Sequence, residues 1–94
     1  MVSVILQFPV KDFNKWKATF DANSEVRRAA GSQGYMVFQQ AENPNQVVIL
    51  QHWDSQENME RFVTSPELRA LQQQAGVLAP PQVTALSFVD EGSA

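Results

Sequence analysis

Two polar residues sit where the sequence asks for oily ones. Phe13, Trp16, Phe20, Asn23, Arg27 and Ala30 recur at helical spacing, while Lys17, Asp21, Glu25 and Arg28 fall on the opposite side. Asn23 and Arg27 therefore lie inside an apolar sector. Burying an amide or a guanidinium unpaired costs several kcal/mol, so each must reach a protein group, water or a ligand. Two readings stand. In the first, both residues line a pocket, where Arg27 holds an anionic or carbonyl oxygen and Asn23 orients the bound molecule. In the second, Arg27 reaches outward from the helix C-terminus to the last carbonyls and Asn23 touches a loop.

His52 is the only histidine. It sits beside Trp53, and an imidazole that titrates near neutral pH is suited to general-base work. No Asp or Glu can be placed next to it to set its tautomer, so a structural role is the competing reading. If the chain is catalytic, His52 would take a proton while Arg27 steadies developing negative charge. Trp16, Phe20, Trp53 and Phe62 could wall a site for a planar organic molecule, and Tyr35 could add a phenol. The same spacing is that of a core, which is the default reading. Gly31-Ser32-Gln33-Gly34 follows a helix instead of opening one, which makes it a turn and not a phosphate loop. With one His and no Cys, no metal site is expected, and no serine sits in a nucleophile elbow.

The elements that must position these residues are legible in turn. Val2–Phe8 is a β-branched-rich run closed by Pro9, a first strand. Asp12 is a good N-cap for a helix running to about Ala30, with Gly31 as its C′ residue. Tyr35–Gln40 and Val47–Trp53 read as a hairpin across AENPNQ, where Pro44 lies between two Asn. Ser55 caps a second helix carrying Met59, Phe62 and Val63. Ser65-Pro66 breaks it and starts another piece, with Leu68, Leu71 and Ala75 up to Gly76. Pro80-Pro81 leads to a fourth strand, Val83–Val89, and a polar tail at 90–94. The order β-α-β-β-α-β implies an α+β, ferredoxin-like domain over residues 1–94: a four-stranded antiparallel sheet with its helices on one face.

Ninety-four residues, 44% of them hydrophobic, suffice for one core and one further surface. Ten acidic and seven scattered basic residues give a net charge of −3, so no nucleic-acid partner is expected. Met1–Phe8 is too short for a signal core and no run is long enough to span a bilayer. No membrane association and a cytoplasmic location are the expectation. The strands do not alternate as a half-exposed sheet should. Val47, Ile49 and Trp53 oppose Val48 and Leu50, and Val83, Ala85 and Val89 oppose Leu86 and Phe88. Two apolar faces point to a homodimer; the competing view is that Gln7, Gln39, Gln51 and Ser87 dilute the second face enough for a monomer.

FNKWKATFD, RRAAGSQG, NPNQVVILQHWDS and ERFVTSPELRALQQQAGVLAPP, in this order and spacing, resemble the dimeric α+β barrel superfamily. The branch is that of antibiotic biosynthesis monooxygenase-like and small cyclase-like proteins, and the resemblance runs from Val4 to about Phe88. It implies two sheets facing each other across a dimer, helices outside, and in many members a small-molecule pocket between sheet and helices. Members include cofactor-free oxygenases, haem-degrading enzymes and cyclase-like proteins. The Asn, Trp and His used together by the haem-degrading members have no matching positions, since Gln7 occupies the first strand and His52 the third. The expectation is thus a small-molecule-binding homodimer acting without a cofactor on a planar or polyketide-like compound. Its alternative is a non-catalytic binding or structural module.

Overall fold

The computed structural model describes residues 2–94; Met1, which opens the segment weighed above as a signal core, lies outside the described residues. Strand β1 (Val2–Pro9) lies between β3 (Asn43–Trp53) and β4 (Gln82–Leu86), and β2 (Ser32–Gln40) flanks β3, giving the antiparallel order β2-β3-β1-β4. The ladder β1–β3 pairs Val4 with Gln51, Leu6 with Ile49 and Phe8 with Val47. Paired residues share a face, so these side chains stand on one side of the sheet. That side meets the helices. Leu6, Phe8, Val10, Trp16, Val47, Ile49 and Ala75 form one buried cluster there, and Val4, Trp53 and Met59 form another.

The first helical stretch is divided into α1 (Phe13–Ala22) and α2 (Ser24–Ala30), where the sequence reads as one helix. Asn23 is the cause. Its side-chain nitrogen donates to the Thr19 carbonyl at 2.8 Å, while its backbone N–H bonds to the Phe20 carbonyl at 3.2 Å. A side chain that takes over the i−4 acceptor lets the backbone depart from the helix. Gly31 then ends α2 at φ 116°, a left-handed position suited to glycine.

Helices α3 (Gln56–Val63) and α4 (Pro66–Gln74) are separate, as Ser65-Pro66 implies. Ser55 Oγ accepts from the Asn58 N–H and Ser65 Oγ from the Leu68 N–H, both at 3.1 Å. The hairpin turn differs from expectation. It falls at Ala41-Glu42, and Asn43-Pro44 already belongs to β3. Asn45 explains the early start: its carbonyl accepts from Val10 N–H at 2.8 Å and its side chain from Phe13 N–H at 3.2 Å, tying β3 to the β1–α1 junction. Strand β4 stops at Leu86 instead of reaching Val89, and Phe88 and Val89 are exposed.

Among the described residues no helix is long and apolar enough to cross a membrane. The face away from the helices carries Ile5, Met36, Phe38, Val48, Leu50 and Leu86, by their pairing in the sheet. Of these Met36 is 52% and Phe38 47% exposed. Gln51 is not among the residues that dilute this face. Odd-numbered positions of β3 face the helices, so Gln51 is buried against them, and Gln39, paired with Val47, points the same way.

Candidate functional site

A cavity of about 70 Å³ lies between the sheet and the helices. Leu6, Phe8, Ile49 and Gln51 form its floor; Trp16, Thr19, Phe20, Asn23, Val26 and Arg27 form one wall; Phe62, Leu68, Leu71, Gln72 and Ala75 form the other. The break at Asn23 shapes the first wall. By turning the chain between α1 and α2, it places Arg27 back over the last turn of α1. There the Arg27 Nη1 donates to the Phe20 carbonyl, which also accepts the Asn23 N–H at the end of α1.

Arg27 is thereby buried, with 5% of its surface exposed. Its guanidinium carbon stands 3.6 Å above the Phe20 ring centre and 5.3 Å from that of Tyr35. Such cation–π contacts contribute about 0.5–2 kcal/mol each. Nη2 is enclosed and has no hydrogen-bond partner. Desolvation lowers the Arg27 pKa from its ordinary value, and Tyr35 and then Asp21 act in the opposite direction. The guanidinium remains charged at neutral pH.

The aromatic rings form a chain along this wall. Trp16 stacks on Phe20 at 5.0 Å between centroids and meets Phe8 edge-on at 5.5 Å, while Phe20 meets Tyr35 edge-on at 4.9 Å. On the floor, Gln51 Oε1 accepts from Trp53 Nε1 at 3.0 Å. Because an indole nitrogen only donates, this bond fixes which end of the Gln51 amide is oxygen and leaves its NH₂ as a donor at the cavity floor. Among the described residues that line the cavity there is no carboxylate, imidazole, phenol or amine, and Arg27 is the one charged side chain. Among the described residues no three His, Asp or Glu gather as a metal-binding group.

The profile of the family described as antibiotic biosynthesis monooxygenase matches residues 1–74. The chain belongs to that family. The match runs from β1 to the end of α4, so it contains every residue that lines the cavity except Ala75. Solved structures extend the likeness through β4. A crystal structure titled antibiotic biosynthesis monooxygenase superposes with a TM-score of 0.72 at 17% identity, over 96% of this chain and all of that one. The cofactor-independent oxygenase SnoaB from Streptomyces nogalater gives 0.75 at 12% identity, over 96% and 94%. Rv0793 from Mycobacterium tuberculosis gives 0.68 at 26% identity, over 98% of each chain. No curated protein matches the sequence.

Within this monooxygenase fold, the residues singled out from sequence divide into three groups. Trp16, Phe20, Asn23, Arg27 and Phe62 meet at the cavity. Tyr35 and Trp53 stand one layer behind it, Tyr35 against Phe20 and Trp53 beneath Gln51. His52 is not brought to the site. Even-numbered positions of β3 face away from the helices, and there the His52 Nδ1 lies 2.9 Å from Ser3 Oγ, opposite Gly34. The pairing of His52 with Arg27 in one pocket is thus corrected by strand alternation.

The outward-reaching alternative for Arg27 is corrected as well: the side chain turns inward and binds a carbonyl of α1, not of its own helix end. Asn23 contacts its own helix instead of a loop. Gln51 was missed. Its signal is a polar residue at an odd position of β3, in phase with Val47, Ile49 and Trp53, which marks it as buried and in need of a partner. A wider cleft of about 400 Å³ opens between α4 and the strap Val77–Val83, but none of the residues singled out from sequence lines it.

Proposed function

We propose that this protein is a small-molecule-binding homodimer that acts on a planar organic or polyketide-like compound, one ring of which enters the cavity between sheet and helices. The observation that carries the reading is the aromatic wall of Phe8, Trp16 and Phe20 closing on a buried arginine, in a chain of the monooxygenase family. Flat hydrophobic walls with a few polar groups are what a site for a planar organic ligand requires. The likeness to a cofactor-independent oxygenase supports monooxygenase- or cyclase-like chemistry with neither metal nor organic cofactor. The apolar outer face of the sheet, with Met36 and Phe38 about half exposed, supports pairing with a second copy through that face. A cytoplasmic location is part of the same reading; among the described residues no helix is long and apolar enough to cross a membrane.

One observation favours a second reading, a binding module without catalysis. With His52 on the far face, the lining contributes no group that exchanges a proton near neutral pH. Native mass spectrometry of freshly purified protein, followed by oxygen-uptake assays on phenolic polycyclic compounds after dialysis against EDTA, separates the two. A two-chain mass with a bound small molecule and metal-independent oxygen uptake is the expected result. Binding without uptake would leave the module, and a single-chain mass at micromolar concentration would remove the dimer.

A further inference from the structure

We infer that the ring entering the cavity carries an oxygen already ionised at neutral pH, a carboxylate or an acidic phenolate, and that Arg27 selects it. This rests on the cavity being a ligand site and goes beyond it by naming the charge the ligand must bring.

Three observations converge. First, Arg27 lines the cavity and is 5% exposed, yet Nη2 has no acceptor. The guanidinium is already stripped of water in the free protein, so an anionic oxygen in the cavity that Nη2 meets by a small shift of the side chain gains a charge-assisted hydrogen bond with no further desolvation of the arginine. Second, nothing else in the lining neutralises the guanidinium. Asp21, the carboxylate whose charge acts on it, is exposed and paired with Lys17 at 2.7 Å. Third, the lining holds no group able to deprotonate a neutral ligand. A phenol or acid that must be charged to meet Arg27 has to arrive charged, which favours groups with pKa values well below neutrality.

Size narrows the class further. At roughly 10–15 Å³ per water, a cavity of about 70 Å³ takes about five to seven waters, so it admits no more than one small ring. The flat indole of Trp16 in the lining suits a flat ring over a branched aliphatic acid. The Gln51 NH₂ on the floor supplies a further donor to the same kind of oxygen. The recognised unit is therefore a single aromatic ring bearing one anionic oxygen group, alone or as the terminal ring of a larger molecule.

Benzoate and benzamide test this, being alike in shape and different in charge. Binding is followed through the indole N–H signal of Trp16 in proton–nitrogen correlation spectra, with the backbone amides of the exposed tail at 90–94 as the internal reference. Benzoate is expected to shift Trp16 saturably and to bind at least about tenfold more tightly than benzamide. Arg27→Met should remove that preference, and Arg27→Lys should keep only part of it, because lysine retains charge without the planar fork. Equal binding of the two probes to the wild-type protein would overturn the inference while keeping the cavity as a ligand site. If neither probe moves Trp16, the cavity reading fails and the inference with it. The wild-type comparison decides the matter even if Arg27→Met does not fold.

Discussion

Gln51 is the residue on which floor and core both depend. Its carbonyl satisfies the indole N–H of Trp53, a side chain with no measurable exposure, and its amide faces the cavity. Gln51→Leu would keep the volume and strand the indole donor. We expect it to lower stability by about 1–3 kcal/mol, read from the midpoint of urea unfolding. An unchanged midpoint would mean that Trp53 finds another acceptor. Arg27 poses the converse case. Its Nη1 donates to a carbonyl at the α1–α2 break, so one guanidinium serves the fold with one nitrogen while the other is left without an acceptor. That division was only half readable in advance. The helical phase of Asn23 and Arg27 marked both as inward-facing, whereas the backbone departure that lets Arg27 reach Phe20 arises from a side-chain hydrogen bond that periodicity does not encode.

At the scale of elements, the junction of α2 with β2 and the start of α4 hold the walls in place. A Cβ on Gly31 would come within 2.5 Å of Asp54 Oδ1, in a left-handed conformation that L side chains rarely adopt. The Asp54 carboxylate is itself held by the Asn58 amide at 3.0 Å, so it has limited room to retreat. Gly31→Ala should cost about 1–3 kcal/mol and lower Tm by several degrees in calorimetry, whereas alanine at Gly34, with open space around it, should not. Ser65 begins α4 by accepting the Leu68 N–H, and Leu68 and Leu71 form part of the cavity wall. Ser65→Ala should cost about 1 kcal/mol, and amide exchange should accelerate first in the opening turn of α4. Both devices were visible as Gly31 and Ser65-Pro66. The hairpin was not placed correctly, because Pro44 between two Asn is a local turn signal that the long-range bonds of Asn45 to Val10 and Phe13 override.

For the whole molecule, the proposed pairing of two copies rests on the outer face of the sheet. Met36 and Phe38 lie on that face and are about half exposed in the single chain, so charges there would disturb the proposed contact between copies more than the fold of one. Met36→Lys with Phe38→Glu is expected to convert a two-chain species into a folded single chain, with light scattering giving the mass and circular dichroism the fold. A wild-type protein that already runs as one chain at micromolar concentration would sink the dimer. His52 and Ser3 lie on the same face, away from the cavity.

The order of strands and helices, the caps at Asp12, Ser55 and Ser65, and the two apolar faces of the sheet follow from the sequence alone, since each depends on periodicity or on contacts within a few residues. So does the inward phase of Asn23 and Arg27. Which face of β3 meets the helices was decided by tertiary structure, because strand alternation defines two faces without naming them, and a shift of one residue exchanges them. That single choice sent Gln51 to the cavity floor and His52 to the opposite side. The cavity itself is likewise a tertiary fact: it is the space left where α1, α2, α3 and α4 do not quite close over the sheet, and no stretch of the chain contains it.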